Sequence, residues 1–302
     1  MRGVIFAGAA LVVIAGAAGW LLTAASPLEA SALSGLQPGE AARGEAVFWA
    51  GGCTSCHART GVEGDAQLEL GGGLALRSDF GTFVAPNISP HPTDGIGSWS
   101  ELDFANAMMR GVAPDGSHYY PAFPYTSYAR MSEQDVVDLF AYMKTLPQVE
   151  GRAGEHDLSF PFSVRRGVGL WKMRYFSEDP VVDLPEDADP KVLRGQYLVE
   201  GPGHCGECHT PRDFGGGHDK SQWLAGAPSM EGSGRIPNIT PSKDGIGDWS
   251  ESDIAYYLES GFTPDFDSAG GEMAKVVRNL AKLTAEDREA IAAYLKAVPA
   301  KP

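Results

Sequence analysis

All four cysteines of this 302-residue chain fall into two copies of one pattern, Cys53-Thr54-Ser55-Cys56-His57 and Cys205-Gly206-Glu207-Cys208-His209. Two thiols three positions apart can add across the two vinyl groups of a porphyrin, and the adjacent imidazole is then placed against the iron. That is the attachment pattern of c-type haem. A zinc site needs four ligands closing a tetrahedron, which two matched motifs 152 residues apart do not suggest. A redox Cys-x-x-Cys would not require the histidine twice. No thiol is left over for a structural disulfide or a nucleophile.

His57 and His209 are therefore the expected proximal ligands, and electron transfer at high potential calls for methionine on the opposite face of each iron. In the C-terminal half, Met273 follows Gly270-Gly271 and precedes Thr284 by eleven residues, a suitable place for a ligand loop. Met230 falls before the Asn238 loop. A core role for Met273 is the competing reading, because methionine readily fills gaps. In the N-terminal half the comparable loop is Tyr119-Tyr120-Pro121-Ala122-Phe123-Pro124-Tyr125, and phenylalanine cannot bind iron. Met131, just before a helix cap, is the favoured ligand there, with His118 as a nitrogen alternative. Met108 and Met109 lie in a predicted helix and read as core. Trp99 and Trp249 could each bond a haem propionate or simply anchor a loop, and Asn87 and Asn238 could be turn residues.

The elements that must position these groups repeat. Cys53 matches Cys205 at an offset of 152, Asn87-Ile88-Ser89-Pro90 matches Asn238-Ile239-Thr240-Pro241 at 151, and Asp94-Gly95-Ile96-Gly97-Ser98-Trp99-Ser100 matches Asp244-Gly245-Ile246-Gly247-Asp248-Trp249-Ser250 at 150. The chain thus carries two copies of one domain. A helix leads into each motif, over Glu40 to Ala50 and Val192 to Glu200. Ser100 with Asp103 and Ser250 with Asp253 have the form of helix N-caps, as do Ser132 with Asp135 and Thr284 with Asp287. The closing helices carry Val136, Leu139, Phe140 and Met143 in one copy, and Ile291, Tyr294, Leu295 and Val298 in the other, at helical spacing. Pro147 and Pro299 stop them. Long alternating strands are absent, so the expected fold is mainly α.

The chain divides into 1–32, an anchor or signal segment; 33–149, the first domain; 150–190, an interdomain segment; and 191–302, the second domain. The uncharged apolar run from Val4 to Thr23 is about the length needed to cross a bilayer core. An uncleaved transmembrane anchor explains that length, whereas Ala30-Ser31-Ala32 would serve a signal peptidase. With Arg2 as the lone charge before the run, the rest of the chain is expected on the periplasmic side of the inner membrane. Phe160-Pro161-Phe162 and the stretch Gly167 to Met173 are too apolar for a free linker. Asp179 to Asp189 reads as an exposed acidic loop. The net charge of −15 makes nucleic acid and anionic membrane surfaces poor partners and favours a redox partner with a basic docking face.

The paired motifs, the Asn-Ile-Ser/Thr-Pro and Gly-Ile-Gly-x-Trp-Ser loops and Tyr120-Pro121-Ala122-Phe123-Pro124-Tyr125 together resemble the membrane-anchored multihaem cytochrome c subunits of bacterial alcohol, gluconate and related periplasmic dehydrogenases. The resemblance implies two tandem class I cytochrome c domains after a transmembrane helix. It also implies two covalent haem c groups and a relay of electrons from a dehydrogenase toward the respiratory chain. Those subunits often carry three haems where this chain has two. Many have methionine where Phe123 stands, and in relatives with phenylalanine there the methionine before the closing helix is the natural substitute, which supports Met131. Electron carriage competes with a di-haem peroxidase or another haem enzyme, which would need one open iron. Thiosulfate chemistry of the kind that uses a cysteine ligand is disfavoured by the lack of a fifth cysteine.

Overall fold

The computed structural model describes residues 14–229 and 234–302. Residues 14–22 are helical. The apolar run from Val4 to Thr23 lies partly outside the described residues, as does Met230. Among those described, no helix is long and apolar enough to cross a membrane.

The first repeat opens with α1 (Ala41–Ala50), continues into the short α2 (Cys53–His57), and passes through a hairpin of β1 (Ala75–Ser78) and β2 (Gly81–Val84). Next come α3 (Glu101–Ala105), a π turn over Asn106–Arg110, α4 (Tyr125–Tyr128) and the closing α5 (Glu133–Met143). The caps form as expected. Ser100 accepts from the Asp103 N–H at 3.1 Å while Asp103 accepts from the Ser100 N–H at 3.0 Å, a reciprocal box that satisfies two orphan donors. Ser132 accepts from the Asp135 N–H at 3.1 Å.

The second repeat uses α7 (Pro190–Glu200), α8 (Gly206–His209), a hairpin of β4 (Ala227–Pro228) and β5 (Arg235–Ile236), α9 (Glu251–Ser260), α10 (Gly271–Leu280) and α11 (Ala285–Ala297). Between the repeats lie β3 (Asp157–Leu158), which extends the first hairpin by pairing Gly81 with Leu158, and α6 (Val168–Tyr175).

Each repeat is closed by the crossing of its first and last helices, and one glycine in each makes the crossing tight. A Cβ on Gly44 would sit 1.9 Å from the Asp138 carbonyl oxygen, and one on Gly195 would sit 1.9 Å from that of Ala290. Any side chain at either place would push the helices apart. Beside the first crossing Phe48 is fully buried, its ring 5.1 Å from that of Tyr142, and its burial contributes roughly 1.5–3 kcal/mol. Phe104 stacks on Phe140 at 4.6 Å, tying α3 to α5. Tyr294 and Val199 fill the same role in the second repeat.

The interdomain segment touches both repeats. Lys172 donates to the carbonyls of Arg110 and Gly111 at 2.5 and 2.9 Å, Trp171 Nε1 donates to Gly215 O at 2.9 Å, and the Tyr175 hydroxyl reaches the Asp213 carboxylate at 2.8 Å. The acidic loop after it is exposed only in part. The N–H groups of Val181 and Val182 donate to the buried Glu200 carboxylate at 2.6 and 3.1 Å, which draws the start of that loop inward.

Candidate haem sites

Each attachment motif forms a short turn of helix directly after the first helix of its repeat, so the turn is held by the same crossing that closes the domain. Within it, the histidine ring is oriented by a backbone carbonyl. His57 Nδ1 lies 2.8 Å from Pro86 O, and His209 Nδ1 lies 2.8 Å from Pro237 O. A ring that donates through Nδ1 leaves the Nε2 lone pair free to bind a metal. Burial pushes both imidazoles below their ordinary value, against the pull of those carbonyls, which favours the neutral form that can bind a metal. Burial also raises the thiols of Cys53 and Cys205 to about 12 and that of Cys208 to about 11.

Each of the two methionines singled out as distal ligands lies at the apolar cluster of its own domain, together with the first cysteine of that domain's attachment turn. Met131 is buried in an apolar cluster that also holds Phe48, Leu70, Phe104 and Tyr128, with Cys53 and Phe123 packed against it. Met273, near the start of α10, packs together with Cys205 against the cluster of Trp223, Leu224, Ile246 and Leu280. His118 lies elsewhere. Its Nε2 is 2.9 Å from Thr23 O, at the junction with the N-terminal helix. Met108 and Met109 are buried on the π turn. Trp99 packs against the first cluster and Trp249 against the second.

Asn87 and Asn238 are clips. Asn87 accepts from the Ser89 N–H at 2.9 Å and donates to Val149 O and Gly151 O at 2.8 and 2.7 Å. Asn238 accepts from the Thr240 N–H at 2.8 Å and donates to Lys301 O at 3.0 Å. Each ties its loop to the chain beyond the closing helix. In each repeat one thiol and a thioether meet at the same apolar cluster, and a second thiol and a neutral oriented imidazole follow in the same turn, a donor set that fits haem c.

Sequence reasoning missed how the two sites meet. Asn279, on α10, accepts from the Thr54 hydroxyl at 2.9 Å and donates to the Ser55 hydroxyl at 3.0 Å. Thr54 and Ser55 are the two residues between Cys53 and Cys56. In return, Thr126 and Ser127 of the first domain donate to the carboxylate of Glu207, between Cys205 and Cys208, both at 3.2 Å. Each domain therefore grips the attachment turn of the other, the second domain holding both central residues of the first turn and the first domain holding Glu207 of the second. His204 adds a third contact, its Nε2 3.2 Å from Gly51 O. Burial alone would raise the Glu207 carboxyl, but His218 and Arg212 beside it hold it well below the usual carboxylate range. It is an anion embedded in the interface. Nothing local marks these residues, because their partners lie in the other half of the chain.

Two matched helical domains, each with a Cys-x-x-Cys-His turn and a methionine in the facing cluster, define a two-haem c-type cytochrome. The comparison with known proteins agrees: the cytochrome c family model matches residues 41–147 and 192–299, and the chain belongs to that family. It carries two covalently bound haem c groups, as its motifs require. A "diheme cytochrome c-type" protein of Cereibacter sphaeroides is 56% identical over 300 residues, covering 99% of both chains. The fructose dehydrogenase cytochrome subunit of Gluconobacter japonicus is 38% identical over 279 residues, 92% of this chain and 56% of that one. The cytochrome c subunit of the quinone alcohol dehydrogenase of Gluconobacter oxydans is 38% identical over 299 residues, 94% of this chain and 61% of that one. The chain thus spans a little over half the length of these dehydrogenase subunits. Membership of this family implies electron transfer.

Proposed function

We propose that the chain relays electrons through its two haems in the periplasm, from a dehydrogenase partner to a respiratory-chain acceptor, and that its N-terminal segment anchors it to the inner membrane. Cys53, Cys56, Cys205 and Cys208 hold the porphyrins, His57 and His209 supply the proximal nitrogens, and Met131 and Met273 supply the distal sulfurs. Bound haem c contributes reversible one-electron chemistry at iron. The chain's residues do the rest. The Pro86 and Pro237 carbonyls fix the imidazoles, and apolar packing around the buried Met131 excludes water there, while Met273 is partly buried. The acidic surface suits a partner with a basic docking face. The dehydrogenase subunits among the relatives support a donor of that class.

The observation that carries the relay is the reciprocal grip between the two attachment turns. Asn279 on one side, with Thr126 and Ser127 on the other, ties each attachment turn to the opposite domain across one interface. The test is the reduced spectrum of the purified protein with and without carbon monoxide. With both irons closed by methionine, wild type binds none. Met131→Ala and Met273→Ala should each open one iron and leave the other untouched. Carbon monoxide binding by the wild-type protein would overturn the carrier reading in favour of a haem enzyme such as a peroxidase.

A further inference from the structure

The interdomain segment carries a face that electron transfer between the haems does not use. Phe160 is 82% exposed, Leu170 60% and Met173 63%, with Phe162 beside them. The Phe162 ring meets Phe80 of the first domain at 4.8 Å. Phe80 in turn lies against Gly216, where a Cβ would come within 3.0 Å of its ring. Phe214, 93% exposed, stands on that same loop of the second domain. Both domains and the segment between them thus contribute to one apolar face. Exposed apolar side chains gathered in this way mark an interaction surface.

Its charge differs from that of the rest of the molecule. Between Asp157 and Glu178 there is no carboxylate, whereas Arg165, Arg166, Lys172 and Arg174 fall within it, in a chain of net charge −15. Lys172 is turned inward to the Arg110 and Gly111 carbonyls, Arg165 donates to His118 O and stacks over Tyr120, and Arg166 is taken up by Thr23 and Trp20, so Arg174 is the exposed cation at this face. Asp213 lies 3.9 Å from Arg174 but is held by the Tyr175 hydroxyl.

The N-terminal helix reaches the body at the same place. Thr23 is buried against Gly169, where a Cβ would come within 2.5 Å of the Thr23 carbonyl oxygen. Arg166 donates to Thr23 Oγ1 at 3.1 Å and to Trp20 O, and stacks over the Trp20 ring at 4.1 Å. Trp20, Leu21 and Leu22 are themselves exposed. An apolar helix, an aromatic at its end packed on Arg166, and the exposed Arg174 among exposed apolar side chains form the pattern of a segment lying in a lipid interface.

We propose that the face made by Phe160, Phe162, Leu170 and Met173, with Phe80 and Phe214 at its margin, rests in the headgroup region of an anionic lipid bilayer and sets the orientation of both haem domains above it. The proposal rests on the reading that the chain works at a membrane, but not on whether its N-terminal segment stays attached after export. The basic, apolar composition favours lipid over the acidic-seeking docking of a soluble partner.

The test is hydroxyl-radical footprinting, read by mass spectrometry, of the full-length holoprotein in nanodiscs of phosphatidylcholine and phosphatidylglycerol. Phe266, 89% exposed on the loop between α9 and α10, is the reference. With a free face, Phe160 and Phe266 oxidise at similar rates. With the face on lipid, Phe160, Phe162 and Met173 oxidise several-fold more slowly than Phe266. Equal rates, or equal protection of Phe266, overturn the proposal. N-terminal sequencing reports separately on the anchor. If the mature chain proves to be cleaved and does not enter discs, the same footprint on phosphatidylglycerol vesicles decides, with the same two outcomes. Protection that appears only in native membranes and never on lipid alone would assign the face to a protein partner and overturn the lipid assignment.

Discussion

Asn279→Leu removes the residue that holds the first attachment turn from the second domain, and its cost can be worked out bond by bond. The Thr54 hydroxyl is 4% exposed and donates to Asn279 at 2.9 Å. Left without an acceptor, it costs about 1–3 kcal/mol. The Ser55 hydroxyl is only partly buried and can turn to water, so its lost bond costs about 0.5–1 kcal/mol. The bond to Lys275 O, at 2.9 Å, is a second bond to a carbonyl already inside a helix and adds little. Leucine is close to asparagine in volume, so no large cavity opens. The expected loss is about 2–3 kcal/mol. In urea, with a slope of about 2 kcal/mol per molar, that is a fall of about 1 M in the midpoint of the first transition. A second variant separates the orphaned hydroxyl from other causes. Adding Thr54→Val to Asn279→Leu replaces both partners by apolar groups of similar shape, which is nearly neutral, so most of the loss should return. A loss below about 0.5 kcal/mol in the single variant, or no recovery in the double one, would show that the interface does not depend on this bond.

Two further outcomes follow from the same geometry. Met273→His should keep its iron six-coordinate and lower the potential of the second haem, since a second imidazole favours the ferric state over a thioether; a redox titration that finds both potentials unchanged would make Met273 a packing residue only. Burial pushes the Lys172 ammonium from its ordinary 10.5 down to about 7. Between those values the unfolded chain binds more protons than the folded one, so this residue makes stability rise with pH across that window. Measured against Lys172→Met, which lacks the titration, wild type should gain steadily from about pH 7 to about pH 10, and parallel curves would refute the burial argument.

What could be read in the sequence was local. The two Cys-x-x-Cys-His turns and the four helix caps are patterns within a few residues, each of them forms, and their recurrence at an offset of 150 to 152 residues is what exposes the repeat. The helix expected to run from Ser100 through Met108 and Met109 is shorter, since the chain leaves α-helical geometry at Asn106 and runs as a π turn that buries Met108 and Met109 together. The small hairpins went unseen because strands of two to four residues carry no usable alternation. The grip between domains was beyond reach for a different reason. Thr54 and Asn279 stand 225 residues apart, and neither type at that position signals the other. The buried Glu200, which draws in the acidic loop and accepts from the Tyr294 hydroxyl, is likewise defined only by what folds around it.

The uneven legibility of the two proposed distal ligands has a structural cause. After each αL glycine, Gly111 or Gly261, the chain makes one isolated bridge, Val112 with His118 and Phe262 with Ser268. Counting onward from those bridges, Phe123 falls on Met273. Counting back from the closing caps Ser132 and Thr284, Met131 falls on Leu283. Each domain thus offers two places from which a side chain can enter the cluster beside its attachment turn. One domain fills them with phenylalanine then methionine, the other with methionine then leucine. An apolar group at the place without the thioether fills the volume, so motif and spacing alone do not decide which place supplies the ligand. The exchange makes the two sites unequal. Met131 is buried ahead of the closing helix, with Gly201 of the second domain close by, whereas Met273 is partly buried and sits on α10, the helix that carries Asn279 six residues further on. In the second domain, one rigid element therefore bears both the proposed sulfur ligand and the residue that grips the first domain's attachment turn.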